Sequence, residues 1–151
     1  MLTVVSTDPR QPAALRCLEL LLADHGSSCA HIEVSSIDAE GSWDIEVSPA
    51  NRRAASFGVH VDEGDEEVVL RFGHTHVYLW APDVASLVPD LEVMAEAVFS
   101  GRLIEAGPLD DSFAVLEAAD GSKQGVGRMH LPWPWRWRRT RHFEPYEVAP
   151  R

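Results

Sequence analysis

The sequence predicts an α+β fold, a single twisted antiparallel sheet of about six to seven strands with two helices packed on one face. Two stretches carry apolar residues at helical spacing, and the segments around them alternate apolar and polar residues with period two. The third observation is size. A chain of 151 residues, 45% apolar and 25% charged, suits one domain around one core and excludes wholesale disorder.

Thr7-Asp8-Pro9 reads as a turn, and Pro12 suits the first turn of a helix. From Ala13 to His25, Ala14, Leu15, Leu18, Leu21 and Leu22 share a side, and Gly26 stands where a helix ends in a left-handed residue. Clean alternation follows. Ala30, Ile32 and Val34 oppose His31, Glu33 and Ser35; Trp43, Ile45 and Val47 oppose Asp44, Glu46 and Ser48. Ala55, Phe57, Val59 and Val61 oppose Ser56, Gly58, His60 and Asp62. Such strands rest one face on a core and leave the other in water, which implies antiparallel pairing. Turns are expected at Ala39-Glu40-Gly41-Ser42 and Asp62-Glu63-Gly64-Asp65.

Residues 66–80 predict one long strand bulged at Gly73, because a lone glycine makes a poor hairpin loop. The bulge shifts the phase. Val68, Leu70 and Phe72 then share the core face with Thr75, Val77 and Leu79, while His74, His76, Tyr78 and Trp80 line the open face. A second helix runs through Val84, Leu87, Val88, Leu91, Met94, Ala95, Val98 and Phe99, started by Pro82-Asp83 and ended by Gly101. Leu103–Ala106, Ser112–Ala118 and Gly125–Leu131 are the closing strands, with Asp120-Gly121 turning between the last two. Residues 1–131 form the expected domain, and 132–151 a Trp/Arg-rich extension packed on it.

Charge is uneven. Of 24 acidic and 13 basic side chains (net −11), residues 1–127 hold 22 and 7, and residues 128–151 hold 2 and 6. A field that negative repels nucleic acid and anionic membranes and steers basic partners inward. No apolar run is long enough to span a bilayer and no signal-peptide pattern opens the chain, so a cytoplasmic protein without membrane contact is expected. Cys17 and Cys29 are too few for a disulfide scaffold.

Chemistry-bearing patterns are sparse. His74 and His76 on one strand face, with His60 on a neighbour, form the alternative site, a zinc-binding or metal-dependent enzyme centre. Nucleophilic catalysis lacks a Gly-x-Ser-x-Gly elbow, and a Cys29–His31 pair lacks an orienting third group. The glycines match no phosphate loop, and no cofactor is implied. The tail interleaves Trp133, Trp135 and Trp137 with Arg136, Arg138, Arg139 and Arg141. That pattern offers a nucleic-acid contact, an internal partner for the acidic domain, or a homodimer contact.

Arg71-Phe72-Gly73-His74-Thr75-His76-Val77, followed by a helix ending in Ser100-Gly101-Arg102-Leu103, resembles small bacterial immunity proteins of polymorphic and contact-dependent toxin systems. The resemblance spans roughly residues 66–105, and the chain departs from it at Val77, where an aromatic is expected, and in its Trp/Arg tail. It implies a non-enzymatic protein that masks a toxin, often by an acidic face against a basic nuclease. The expected contact residues are Glu33, Asp44, Glu46 and His60 on the open sheet face, with Asp62, Glu63, Asp65 and Glu66 at the turn.

Overall fold

The structure is a computed structural model describing residues 7–26, 28–36, 41–62, 64–107, 112–127 and 140–147. Helix α1 (Arg10–His25) buries Ala14, Leu18 and Leu22 in successive turns. Its entry is a polar knot. The Asp8 carboxylate accepts from the Arg10 backbone N–H at 3.0 Å, from the Arg10 guanidinium at 2.7 Å and from Trp43 Nε1 at 3.0 Å. Arg10 is itself buried and donates through Nη1 to the Ala81 carbonyl at 2.9 Å. Burial pushes the Asp8 carboxyl up, but the hydrogen bonds from Arg10 and Trp43 outweigh it and hold the group below the usual carboxylate range. A depressed folded-state pKa contributes stability that is complete above the unfolded value and disappears as pH falls through the folded one. Asp8→Asn is therefore expected to lower stability at neutral pH by about 1–2 kcal/mol. Urea denaturation at pH 7 and in acid should show the gap between wild type and variant narrowing as pH falls.

Five strands follow α1 or its successor turns: β1 (Ala30–Ser36), β2 (Trp43–Pro49), β3 (Phe57–Val61), β4 (Glu67–Phe72) and β5 (Thr75–Trp80). They pair antiparallel in chain order, as one sheet. Trp43, Ile45, Val47, Phe57, Val59, Val61, Val68, Leu70 and Phe72 all turn inward and are buried. Helix α2 (Val84–Phe99) starts with a reciprocal cap, in which the Asp83 carboxylate accepts from Ser86 N–H while Ser86 Oγ accepts from Asp83 N–H. It buries Leu87, Leu91, Met94, Ala95, Val98 and Phe99, and packs against α1.

After α2 come β6 (Leu103–Ala106), β7 (Phe113–Glu117), β8 (Lys123–Gly127) and β9 (Thr140–His142). They form a second antiparallel sheet in the order β8-β7-β6-β9. The α+β class is as expected, but one sheet of six or seven strands is not: the described residues hold nine strands in sheets of five and four. The reason lies in β6, which pairs with β7 on one edge and β9 on the other, leaving no edge for β5. The sheets touch by packing instead, where a Cβ on Gly127 would lie 3.3 Å from Thr75 Cγ2. One hydrophobic core still runs through both sheets and both helices.

The bulged strand is corrected as well. Phe72 pairs with Thr75, so Gly73-His74 is a two-residue hairpin loop between β4 and β5. Gly73 has φ +57° and His74 does not enter the positive region, the pattern of a turn with glycine at its first central position. Two loop residues conserve the phase that a bulge would have set, so Thr75 and Val77 do face the core. The closing strand begins at Lys123 rather than Gly125, and residues 128–131 of the expected span lie outside the described residues.

The last described segment belongs to the core. Tyr146 is buried, its ring 4.6 Å from Phe99 and its hydroxyl donating to the Ala55 carbonyl at 2.7 Å.

Candidate functional site

Strand alternation leaves one face of the five-stranded sheet pointing away from the core. Across it the register lines up Glu33, Glu46, Gly58, Arg71 and His76 in one row, and Ser35, Asp44, His60, Val69 and Tyr78 in the next. Glu67 opposite Trp80 begins a third. Glu33 and Glu46 are direct cross-strand neighbours of like charge, an arrangement that costs the sheet stability. Gly58 makes room for its flanking side chains: a Cβ there would stand 2.8 Å from Glu46 Oε2 and 3.1 Å from Arg71 Nη2.

Arg71 is the cation of this face. Its Nη2 lies 2.7 Å from Asp44 Oδ1 and 3.4 Å from Glu46 Oε2. His60 sits between Asp44 (3.6 Å) and Asp62 (3.0 Å). Burial pushes the Glu46 carboxyl above its ordinary value; Arg71 opposes that shift, while Asp44 and Glu33 add to it. Among the described residues the face thus presents Glu33, Asp44, Glu46, Asp62 and Glu67 with one guanidinium, Arg71, which pairs with Asp44 and Glu46. Tyr78 and Trp80 beside them are 52% and 72% exposed, so the acidic field has an apolar border.

Of the residues expected from sequence, Glu33, Asp44, Glu46 and His60 stand together on this face, and Asp62 adjoins them through His60. Glu63 lies outside the described residues. Asp65 and Glu66 are exposed and line a cleft of about 500 Å³ with Asp8, Arg10, Pro82 and Asp83, and Glu66 also accepts from Trp80 Nε1. Arg71, Glu67, Tyr78 and Trp80 are additions to the contact set. The alternation of residues 67–72 carried the signal for the first two, because Val68, Leu70 and Phe72 claim the other face.

The histidines are placed differently from the expectation for a metal centre. His74 is in the hairpin loop, not on the strand face it was to share with His76. His76 pairs with Arg71, and His60 is two strands away beside Asp44. Among the described residues no group of three His, Cys, Asp or Glu side chains is gathered closely enough to hold an ion. Both thiols sit in or against the core. Burial, with Glu92 nearby, pushes Cys17 up to about 11, and burial raises Cys29 too, which leaves neither a ready nucleophile.

A second polar cluster was not foreseen. Glu105 on β6 is fully buried and accepts from the His74 backbone N–H at 2.9 and 3.0 Å and from the Thr75 hydroxyl. Arg141 on β9 approaches it at 3.9 Å, and donates to the Gly107 carbonyl (2.8 Å) and to Ser112 Oγ (2.7 Å). Arg141, for which the tail pattern offered either a ligand contact or an internal partner, bonds within the domain here. Trp133, Trp135, Trp137, Arg136, Arg138 and Arg139 lie outside the described residues. No helix among the described residues is long and apolar enough to cross a membrane.

Compared with protein-family models, with curated proteins and with solved structures, the chain shows no match.

Proposed function

We propose that this chain is a non-enzymatic binding protein of the immunity type, which masks a basic toxin in the cytoplasm through the outer face of its five-stranded sheet. The observation that carries the reading is the outer-face row in which Glu33 faces Glu46, with Arg71 3.4 Å from Glu46. Like charges held side by side raise the free energy of the unbound face, and a cationic partner relieves that strain as it docks. Exposed Tyr78 and Trp80 add the aromatic area that protein interfaces favour. Catalysis is not needed: occlusion and charge complementarity suffice.

Location separates this reading from bulk charge. One variant carries Glu33→Lys, Glu46→Lys, Asp62→Lys and Glu67→Lys. A control carries Glu19→Lys, Asp24→Lys, Asp90→Lys and Glu92→Lys, exposed positions on the two helices, for the same change in net charge. With an oligo-lysine peptide as probe, the face variant should associate at least about tenfold more slowly at low salt and show a flatter salt dependence. The helix control should stay within about a factor of three of wild type. Equal slowing in both variants, or none in the face variant, refutes the proposal.

A further inference from the structure

Resting on that docking face, we propose that Trp80, Glu66 and Glu67 form a receptor for an arginine side chain of the basic partner. Three features converge there. Trp80 is 72% exposed, the most open of the large apolar side chains among the described residues. Its indole is not left to swing, because Nε1–H donates to Glu66 Oε2 at 3.2 Å, which fixes the ring beside a carboxylate. Glu67 stands directly opposite Trp80 on β4, and Tyr78 continues the aromatic surface two residues along β5. The result is an aromatic plate with two glutamates beside it on the β4 side, Glu66 bonded to its edge and Glu67 opposite it in register.

Guanidinium fits such a plate better than ammonium. It is planar and weakly hydrated, stacks flat on an indole, and keeps its edge N–H groups for carboxylates in the same plane. Lysine keeps its hydration shell and meets the site as a point charge. The acidic row from Glu33 to Glu46 attracts either cation, whereas the Trp80 plate selects between them. The neighbouring cleft does not supply this selectivity: its Asp8 is taken by Arg10, its Asp83 caps α2, and its Asp65 accepts from the Glu67 backbone N–H.

Oligo-arginine and oligo-lysine peptides of equal length test the assignment, with binding measured by calorimetry on wild type, Trp80→Ala, Trp80→Phe and the four-lysine face variant. Trp80→Ala should weaken oligo-arginine binding about fivefold and change oligo-lysine binding by less than about twofold, with Trp80→Phe in between. Because Trp80 is exposed, its urea midpoint should stay at the wild-type value, and that is measured in parallel. If the face variant loses both peptides but Trp80→Ala weakens them equally or not at all, the arginine receptor is refuted and the acidic face stands. If neither variant changes either peptide, both proposals fall. Self-association of the wild type that Trp80→Ala abolishes, seen by sedimentation, also overturns the receptor, since the plate then covers a second copy.

Discussion

Replacing Glu105 with alanine is expected to destabilise the fold by about 3–5 kcal/mol, the range for removing one partner of a buried charged cluster. The carboxylate is fully buried and performs three tasks. It terminates the β4–β5 loop by accepting from His74 N–H, it satisfies the Thr75 hydroxyl, and it faces Arg141 from β9. Alanine leaves that N–H and hydroxyl without their acceptor and the guanidinium without the carboxylate it faces. The loop depends on this fit from its own side too, since a Cβ on Gly73 would come within 2.2 Å of Glu105 Oε1. Glu105→Gln, which keeps the volume but puts a donor amide where an acceptor stood, should cost about 1–3 kcal/mol. Urea midpoints should fall in the order wild type, Glu105→Gln, Glu105→Ala. A cycle with Arg141→Ala should show coupling of at least about 0.5 kcal/mol. A midpoint for Glu105→Ala within error of wild type would mean that the two sheets are not joined through this carboxylate.

Because Glu105 reaches from one sheet into the hairpin of the other, it also explains why local patterns misjudged the architecture. Alternation is a property of a strand and its two faces, and it located most strands closely: Trp43–Pro49 and Leu103–Ala106 lie where periodicity put them. Which strands share a ladder depends on edges. The edge of β6 that a single sheet would have offered to β5 is taken by β9, a three-residue strand arriving 34 residues after β6 ends, too short for periodicity to reveal. At Gly73 the error was of another kind. A lone glycine predicts a bulge, whereas the loop is Gly73-His74, and His74 passes for a strand residue because it sits in an alternating His-Thr-His run.

The docking face was more legible than the buried cluster, for a physical reason. Glu33, Asp44, Glu46 and His60 were placed by simple opposition to apolar neighbours on their own strands. Arg71 and Glu67 obey the same rule, but opposition says which face a side chain joins and not which charges it will meet; pairing Arg71 with Asp44 requires register across β3. Glu105 inverts the rule. It shares the inward side of β6 with Leu103, so alternation put a carboxylate in the core, and only the partners from β5 and β9 make that position tolerable.

Tyr146→Ala should prove as damaging as loss of Glu105, about 3–5 kcal/mol for an aromatic side chain removed from a packed core. The ring lies on Phe99 at the end of α2 and the backbone N–H donates to the Phe99 carbonyl at 2.9 Å, so the segment closes the bottom of the helix as well as filling space. Gly101 shows how tight the closure is, since a Cβ there would stand 2.4 Å from the Pro145 nitrogen. Tyr146→Phe isolates the hydroxyl, whose bond to the Ala55 carbonyl should account for about 1 kcal/mol. Thermal and urea unfolding of both variants measures this, and an unchanged midpoint for Tyr146→Ala would show that residues 140–147 do not dock on the domain in solution. The same contacts bear on any role for the tryptophans and arginines at 133–139. Truncation at residue 132 would delete Tyr146 and Arg141 along with them, so lost binding would report an opened core. Substituting those side chains while keeping residues 140–147 separates a ligand contact from a folding defect.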